Sequence, residues 1–227
     1  MDPVAPFLAM GTRIPNGADD LVARLSKIRA VVFDWDGVFN DGVKDEDGGS
    51  PFSEIGSTGV NMLRFGLWLK QGSLPVSAVI TGQRNKFVQL FTAREKFHGA
   101  YMGYIDKRKA FDHLLATHGL AAEQVAFFFD EVIDLPVAER AGLRAMIGRS
   151  VSPLLERAVI ARGQADLITK HSGGENGLRE ACELLLGAMG IYDEVVEHRA
   201  SFSNEYQTYL ALRTATELRT FAQDRKR

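Results

Sequence analysis

The sequence predicts an α/β protein: a Rossmann-like parallel sheet with helices on both faces, a small β-hairpin flap and no cap domain. Three observations carry this. Apolar runs too short for helices recur at 30–33, 76–80 and 125–129, segments of helical apolar spacing separate them, and each run ends at glycine, threonine or acidic residues. Strands buried under helices on both faces read as continuous apolar runs, and ligands then bind at their carboxyl ends.

The elements follow in order. A first helix is expected from about Asp19 to Ile28, then a strand at Ala30–Phe33. The interval up to Thr81 holds a β-hairpin around the turn DEDGG at 45–49, a helix through 62–69 and a strand at 76–80. Next come a helix bearing Phe87, Leu90 and Phe91, a strand near Tyr101, and a helix opened by Lys107 with Phe111, Leu114 and Leu115 on its buried face. A strand at Val125–Phe129 and short strands near 143–147 and 165–169 complete the sheet. Neither the interval from Asp36 to Thr81 nor that from Lys107 to Asp130 can hold a separate cap.

Composition fits one domain at 19–190, with an extension at 1–18 expected to be disordered or loosely docked and a helical extension at 191–227. A chain of 227 residues can bury roughly 70–75% of its unfolded surface in one core. The 27 basic and 29 acidic residues nearly cancel, so no global field favours nucleic acid or an anionic membrane, and the terminal DRKR reads as a solvated tail. The N-terminal stretch has neither a basic leader nor a membrane-length run, which points to a cytoplasmic protein. Cys182 falls with Leu178, Ala181, Leu185 and Leu186 on one helix face and reads as core. The five histidines show no metal-ligand spacing.

The chemistry-bearing residues lie at strand ends. Asp34 and Asp36, one residue apart, fall on the same side of an extended chain, and Gly37 lets the backbone turn away at once, so both carboxylates can converge on one ligand and a divalent cation. Thr81-Gly82 offers a hydroxyl for a phosphoryl oxygen, and Lys107 an ammonium at a helix start. The strand at Val125–Phe129 delivers Asp130, Glu131 and Asp134. Each has a plain structural alternative: an Asp-Gly turn, a solvated helix lysine, a helix cap.

Together these segments resemble the haloacid dehalogenase superfamily, and more narrowly the 3-deoxy-D-manno-octulosonate 8-phosphate phosphatase family with its relatives acting on nonulosonate 9-phosphates. The resemblance spans about 28–186. It is carried by DGVFNDG at 36–42, TGQRN at 81–85, GYIDK at 103–107, DEVIDLP at 130–136 and ADLITKHSGGENGLREACELLL at 165–186. It implies a phosphatase in which Asp34 attacks phosphorus and Asp36 serves as acid and then base. Thr81 and Lys107 would stabilise the transferring group, while Asp34, the backbone carbonyl of Asp36 and Asp130 hold Mg²⁺, with Glu131 and Asp134 orienting that site.

The resemblance also implies a sugar phosphate substrate of the acidic keto-sugar class, contacted at Gly82, and a homotetramer in which Gly173 and Gly174 of GGENG reach a neighbour's site. Because Gln83 carries no charge to meet a carboxylate, either Arg84, the nearest cation in sequence, takes over or the substrate is a neutral sugar phosphate. Four positions depart from the family. Gln83 replaces an arginine, Phe129 a glycine, Glu131 an aspartate, and Gly56-Ser57 an Asp-Gly pair. Two other readings stand beside the phosphatase: a dehalogenase, against which Asp36 argues, and a catalytically weakened relative kept as a binding or regulatory subunit.

Overall fold

The short apolar runs form the centre of one seven-stranded, all-parallel sheet in the computed structural model, which describes residues 2–223. The chain begins with α1 (Ala5–Met10) and α2 (Ala18–Leu25), then β1 (Ala30–Phe33), α3 (Glu54–Gln71), β2 (Val76–Thr81), α4 (Lys86–Arg94) and β3 (Gly99–Met102). It continues through α5 (Lys107–His118), β4 (Val125–Phe129), α6 (Leu135–Ala138), β5 (Leu143–Met146), α7 (Pro153–Ala161) and β6 (Leu167–Ile168). Three helices and a strand close it: α8 (Gly177–Ala188), α9 (Tyr192–Ala200), α10 (Asn204–Thr214) and β7 (Arg219–Ala222). The strand order is β6-β5-β4-β1-β2-β3-β7.

Register decides where the site lies. Phe33 pairs with Val79 on one side and Phe128 on the other, so Asp34, Thr81 and Asp130 all emerge at the same carboxyl edge within about one residue of each other. Strand parity sorts the core into two layers. Val31, Phe33, Val79, Ala126 and Phe128 face a layer with α3 and α8, where Phe33 stacks on Phe128 at 4.6 Å. Ala30, Val32, Ile80, Phe127 and Phe129 face Ala110, Phe111 and Leu114 of α5.

Helix α3 begins well before the apolar pattern at 62–69, because Ser53 caps it by accepting from the Ile55 N–H at 3.1 Å. Its glycines have a packing reason. A Cβ on Gly66 would stand 2.3 Å from Leu186, and one on Gly59 would stand 3.1 Å from the Arg179 Cα, so small residues set how closely α3 and α8 approach.

Two expectations are corrected. The DEDGG turn forms, but its arms are not strands: the Asp45 carboxylate accepts from the Asp47 and Gly49 N–H groups at 3.1 and 2.6 Å, and Lys86 pins it at 3.0 Å. A side-chain-stapled loop therefore replaces the hairpin flap. The segment before α2, expected to be disordered or loosely docked, carries α1 and extends the sheet edge, with Arg13 and Ile168 exchanging backbone bonds of 2.9 Å. The C-terminal extension carries α9 and α10 and adds β7, which pairs with β3. Arg213 of α10 fastens that extension by donating to the Asn61 side-chain oxygen at 2.8 Å. The DRKR tail at 224–227 lies outside the described residues. Among the described residues no helix is long and apolar enough to cross a membrane.

Candidate active site

Asp34 follows β1 with the parity of Ala30 and Val32, so its carboxylate faces the α5 side of the sheet. Asp106 caps α5 by accepting from the Arg108 N–H, and the first residue of the helix is Lys107. The Lys107 ammonium lies 2.6 Å from Asp34 Oδ1 and 2.5 Å from Asp134 Oδ1. All three groups are buried. A lone ion pair at this depth would be close to neutral; here one ammonium serves two carboxylates. Burial pushes Asp34 up to about 7, with Asp134 adding to the shift and Lys107 opposing it. Burial likewise raises Asp134 against the pull of Lys107. Burial alone would lower Lys107, but the two facing carboxylates outweigh it and hold the ammonium above its ordinary value.

Asp36 is held by a separate bracket. Its carboxylate accepts from the Ser50 hydroxyl and pairs with Lys44. Ser50 in turn accepts from Asn85 Nδ2 at 2.9 Å, while Asn85 Oδ1 caps α4 by accepting from the Phe87 N–H at 2.9 Å. The asparagine of TGQRN thus fixes both a helix start and, through Ser50, the orientation of Asp36. Trp35 completes the support by donating from Nε1 to the Ser50 carbonyl at 3.0 Å.

Asp130 leaves the end of β4, and one of its oxygens pairs with Arg149, whose other nitrogen lies 3.4 Å from Glu131 Oε2. Gly37 makes this possible. Its φ of 81° is left-handed, and a Cβ there would stand 2.0 Å from Asp130 Oδ2 and 2.6 Å from Arg149 Nη2, so no other residue fits. Asp34, Asp130 and Asp134 can bring one oxygen each to within 4.8 Å of one another. Asp130 Oδ1 is buried and has no hydrogen-bond partner among the described residues. Asp34 and Asp130 are hard oxygen donors, and the unsatisfied oxygen of Asp130 fits a divalent cation. Around them opens a cleft of about 330 Å³, lined by Asp34, Asp36, Thr81, Lys107, Asp130 and Arg149 among others.

No protein-family model matches the chain. It is 32% identical over 181 residues to the 3-deoxy-D-manno-octulosonate 8-phosphate phosphatase of Escherichia coli K12, covering 77% of this chain and 88% of that protein. This chain belongs to the 3-deoxy-D-manno-octulosonate 8-phosphate phosphatase family. Solved structures agree. The crystal structure of the 3-deoxy-D-manno-octulosonate 8-phosphate phosphatase from Yersinia pestis is 30% identical, covers 77% of this chain and 89% of its own, and superposes with a TM-score of 0.63. A haloacid dehalogenase superfamily (subfamily III A) chain from Legionella pneumophila reaches 0.66 at 27% identity, over 81% of this chain and 95% of its own.

As a member of this family of haloacid dehalogenase-type phosphomonoesterases, the chain brings Asp34, Asp36, Thr81, Lys107, Asp130 and Asp134 together. Gly82 and Gln83 line the cleft. Arg84 is exposed beside it and is not among its lining residues. Gly173 and Gly174 do not line it either: they pack on the 37–41 loop of the same chain, where a Cβ on Gly173 would stand 2.3 Å from the Gly37 carbonyl oxygen and one on Gly174 2.7 Å from Asp41 Cβ. Glu131 stands at the rim, its carboxylate accepting from the Val132 N–H at 2.7 Å.

Two departures from the family pattern are absorbed elsewhere. Phe129 points into the core and stacks on Phe127. Ser57 sits in α3, donating to Glu95 at 3.2 Å. Sequence reasoning missed Lys44, Ser50, Asn85 and Arg149. Arg149 had a signal, since it follows β5 at the carboxyl edge where parallel sheets bind ligands.

Proposed function

We propose that this chain is a magnesium-dependent phosphatase of a small sugar phosphate, with Asp34 as nucleophile. The observation that carries the reading is the buried Asp34–Lys107–Asp134 cluster beside Asp130 with its unpartnered oxygen. The family relationship supports it, because relatives bear the name 3-deoxy-D-manno-octulosonate 8-phosphate phosphatase. That compound is the leading substrate.

Asp34, Asp130 and the backbone carbonyl of Asp36 would hold the cation, with Asp134 and Glu131 positioning that set. When bound, Mg²⁺ would neutralise charge on the phosphoryl oxygens and keep Asp34 ionised. Asp34 then attacks phosphorus to form an aspartyl-phosphate, and the ester oxygen leaves with a proton from Asp36. Asp36, now ionised, takes a proton from the water that hydrolyses the intermediate. Ser50 and Lys44 keep its carboxyl aimed throughout. Lys107 holds Asp34 in line, and the Thr81 hydroxyl, which already accepts from the Gln83 N–H at 3.2 Å, is free to donate to a phosphoryl oxygen.

The test is phosphate release from a panel of acidic keto-sugar phosphates and neutral hexose phosphates, with Mg²⁺ and with EDTA. Release is expected only with Mg²⁺, and release that survives EDTA would refute the cation dependence. A preference for neutral sugars, unchanged in Arg84→Ala, would overturn the acidic substrate class while leaving the phosphatase reading intact.

Assembly is part of the same proposal: a homotetramer in the cytoplasm, its uncapped cleft covered by a neighbouring subunit. Ile105, Val132 and Ile133 are exposed large apolar residues in the loops at the sheet's carboxyl edge, of which Ile133 lines the cleft, and they give such a neighbour something to bury. A monomer mass by light scattering at micromolar concentration would contradict this.

A further inference from the structure

Taking Asp130 as a cation ligand, as the proposed function does, we infer that Arg149 is its resident counter-ion and that cation loading is an exchange in which the metal displaces the guanidinium. Asp130 is 2% exposed, with one oxygen on Arg149 and the other without a partner. A buried carboxylate left without positive charge is strongly unfavourable, and Arg149 supplies that charge to Asp130. Lys107 cannot substitute, being shared already between Asp34 and Asp134.

The backbone carrying Arg149 is fixed. The Gly148 N–H donates to Thr169 Oγ1 at 2.8 Å, and a Cβ on Gly148 would stand 2.0 Å from the Thr169 carbonyl oxygen. The side chain is not so confined. It is 32% exposed, and its second contact is a long one to Glu131, itself 41% exposed at the rim. A guanidinium pushed off Asp130 therefore has a carboxylate waiting one short swing away. A divalent cation on Oδ1 and a guanidinium on Oδ2 of one carboxylate meet at contact distance in a partly desolvated cleft, and their repulsion drives the guanidinium toward Glu131.

The full chain carrying Arg149→Gln, purified in Mg²⁺ so that the cation supplies the missing charge, tests this without any substrate. Two quantities are read: the Kd for Mn²⁺ from the electron paramagnetic resonance of free Mn²⁺, and the thermal midpoint in EDTA against saturating Mg²⁺. The variant is expected to bind Mn²⁺ at least about tenfold more tightly than the parent. Its midpoint is expected to fall below the parent's in EDTA and to match it in Mg²⁺, while Arg149→Lys keeps a Kd near the parental one. Equal or weaker Mn²⁺ binding by Arg149→Gln overturns the exchange, as does a midpoint gap that Mg²⁺ leaves open. Asp130→Asn separates this failure from failure of the proposed function. If that variant binds Mn²⁺ like the parent, the cation is not at Asp130 and both ideas fall; if it loses Mn²⁺ while Arg149→Gln gains nothing, only the exchange falls.

Discussion

Asp34→Asn is expected to abolish phosphate release, by roughly 10⁴-fold or more, since loss of a covalent nucleophile removes the reaction path and not one contribution to it. The amide oxygen can still accept from Lys107, but it cannot attack phosphorus. Stability should move the other way. Burial raises the Asp34 carboxyl to about 7 against an ordinary 3.8, with Asp134 adding to the shift. In EDTA the fold therefore favours the protonated carboxyl. Its contribution is present in full below the ordinary value and is lost as pH rises through about 7. Asparagine has no proton to lose and stays neutral, so at pH 8 in EDTA the variant's thermal midpoint should equal or exceed the parent's. Turnover above a few per cent would remove Asp34 from its role, and a midpoint well below the parent's would show that its charge supports the fold.

Lys107→Met has the opposite signature. It leaves Asp34 and Asp134 buried beside each other with no facing cation, a loss worth roughly 3–5 kcal/mol for a broken buried pair. For a chain of this size that corresponds to roughly 10 °C in midpoint. The two carboxyls would recover neutrality by holding protons, so the deficit should be larger at pH 8 than at pH 5. Activity should fall by about 10²–10³-fold, the usual effect of deleting one preorganised electrostatic contact. Differential scanning calorimetry at the two pH values, with phosphate release on the same samples, checks both. An unchanged midpoint at pH 8 would mean that Lys107 is not the counter-charge its position implies.

These two variants act on residues that were legible in the sequence, and the reason is local. Asp34, Thr81 and Asp130 each end or follow a short apolar strand, and Lys107 opens an amphipathic helix, so strand parity and helix position alone place them at one edge of a parallel sheet. What escaped the sequence depends on contacts across long separations. Nothing near Asp36 announces that Ser50, Lys44 and Asn85 will bracket it, because the loop that delivers Ser50 is shaped by Asp45 and Lys86 rather than by strand pairing. The exposed four-residue β7 lacks an apolar run and becomes a strand because the edge of β3 has open backbone groups to offer. Arg149 is a surface-type residue by composition, and only the missing side chain at Gly37 lets it reach Asp130.

The covalent route through Asp34 is tested most directly by the steric course at phosphorus, using a sugar phosphorothioate made chiral by its sulfur and two oxygen isotopes, hydrolysed in water carrying the third isotope. Two successive in-line displacements, first by Asp34 and then by water, each invert the centre, so the inorganic thiophosphate should form with net retention. Net inversion would mean that water attacks the substrate directly, and would contradict the assignment of Asp34 as nucleophile.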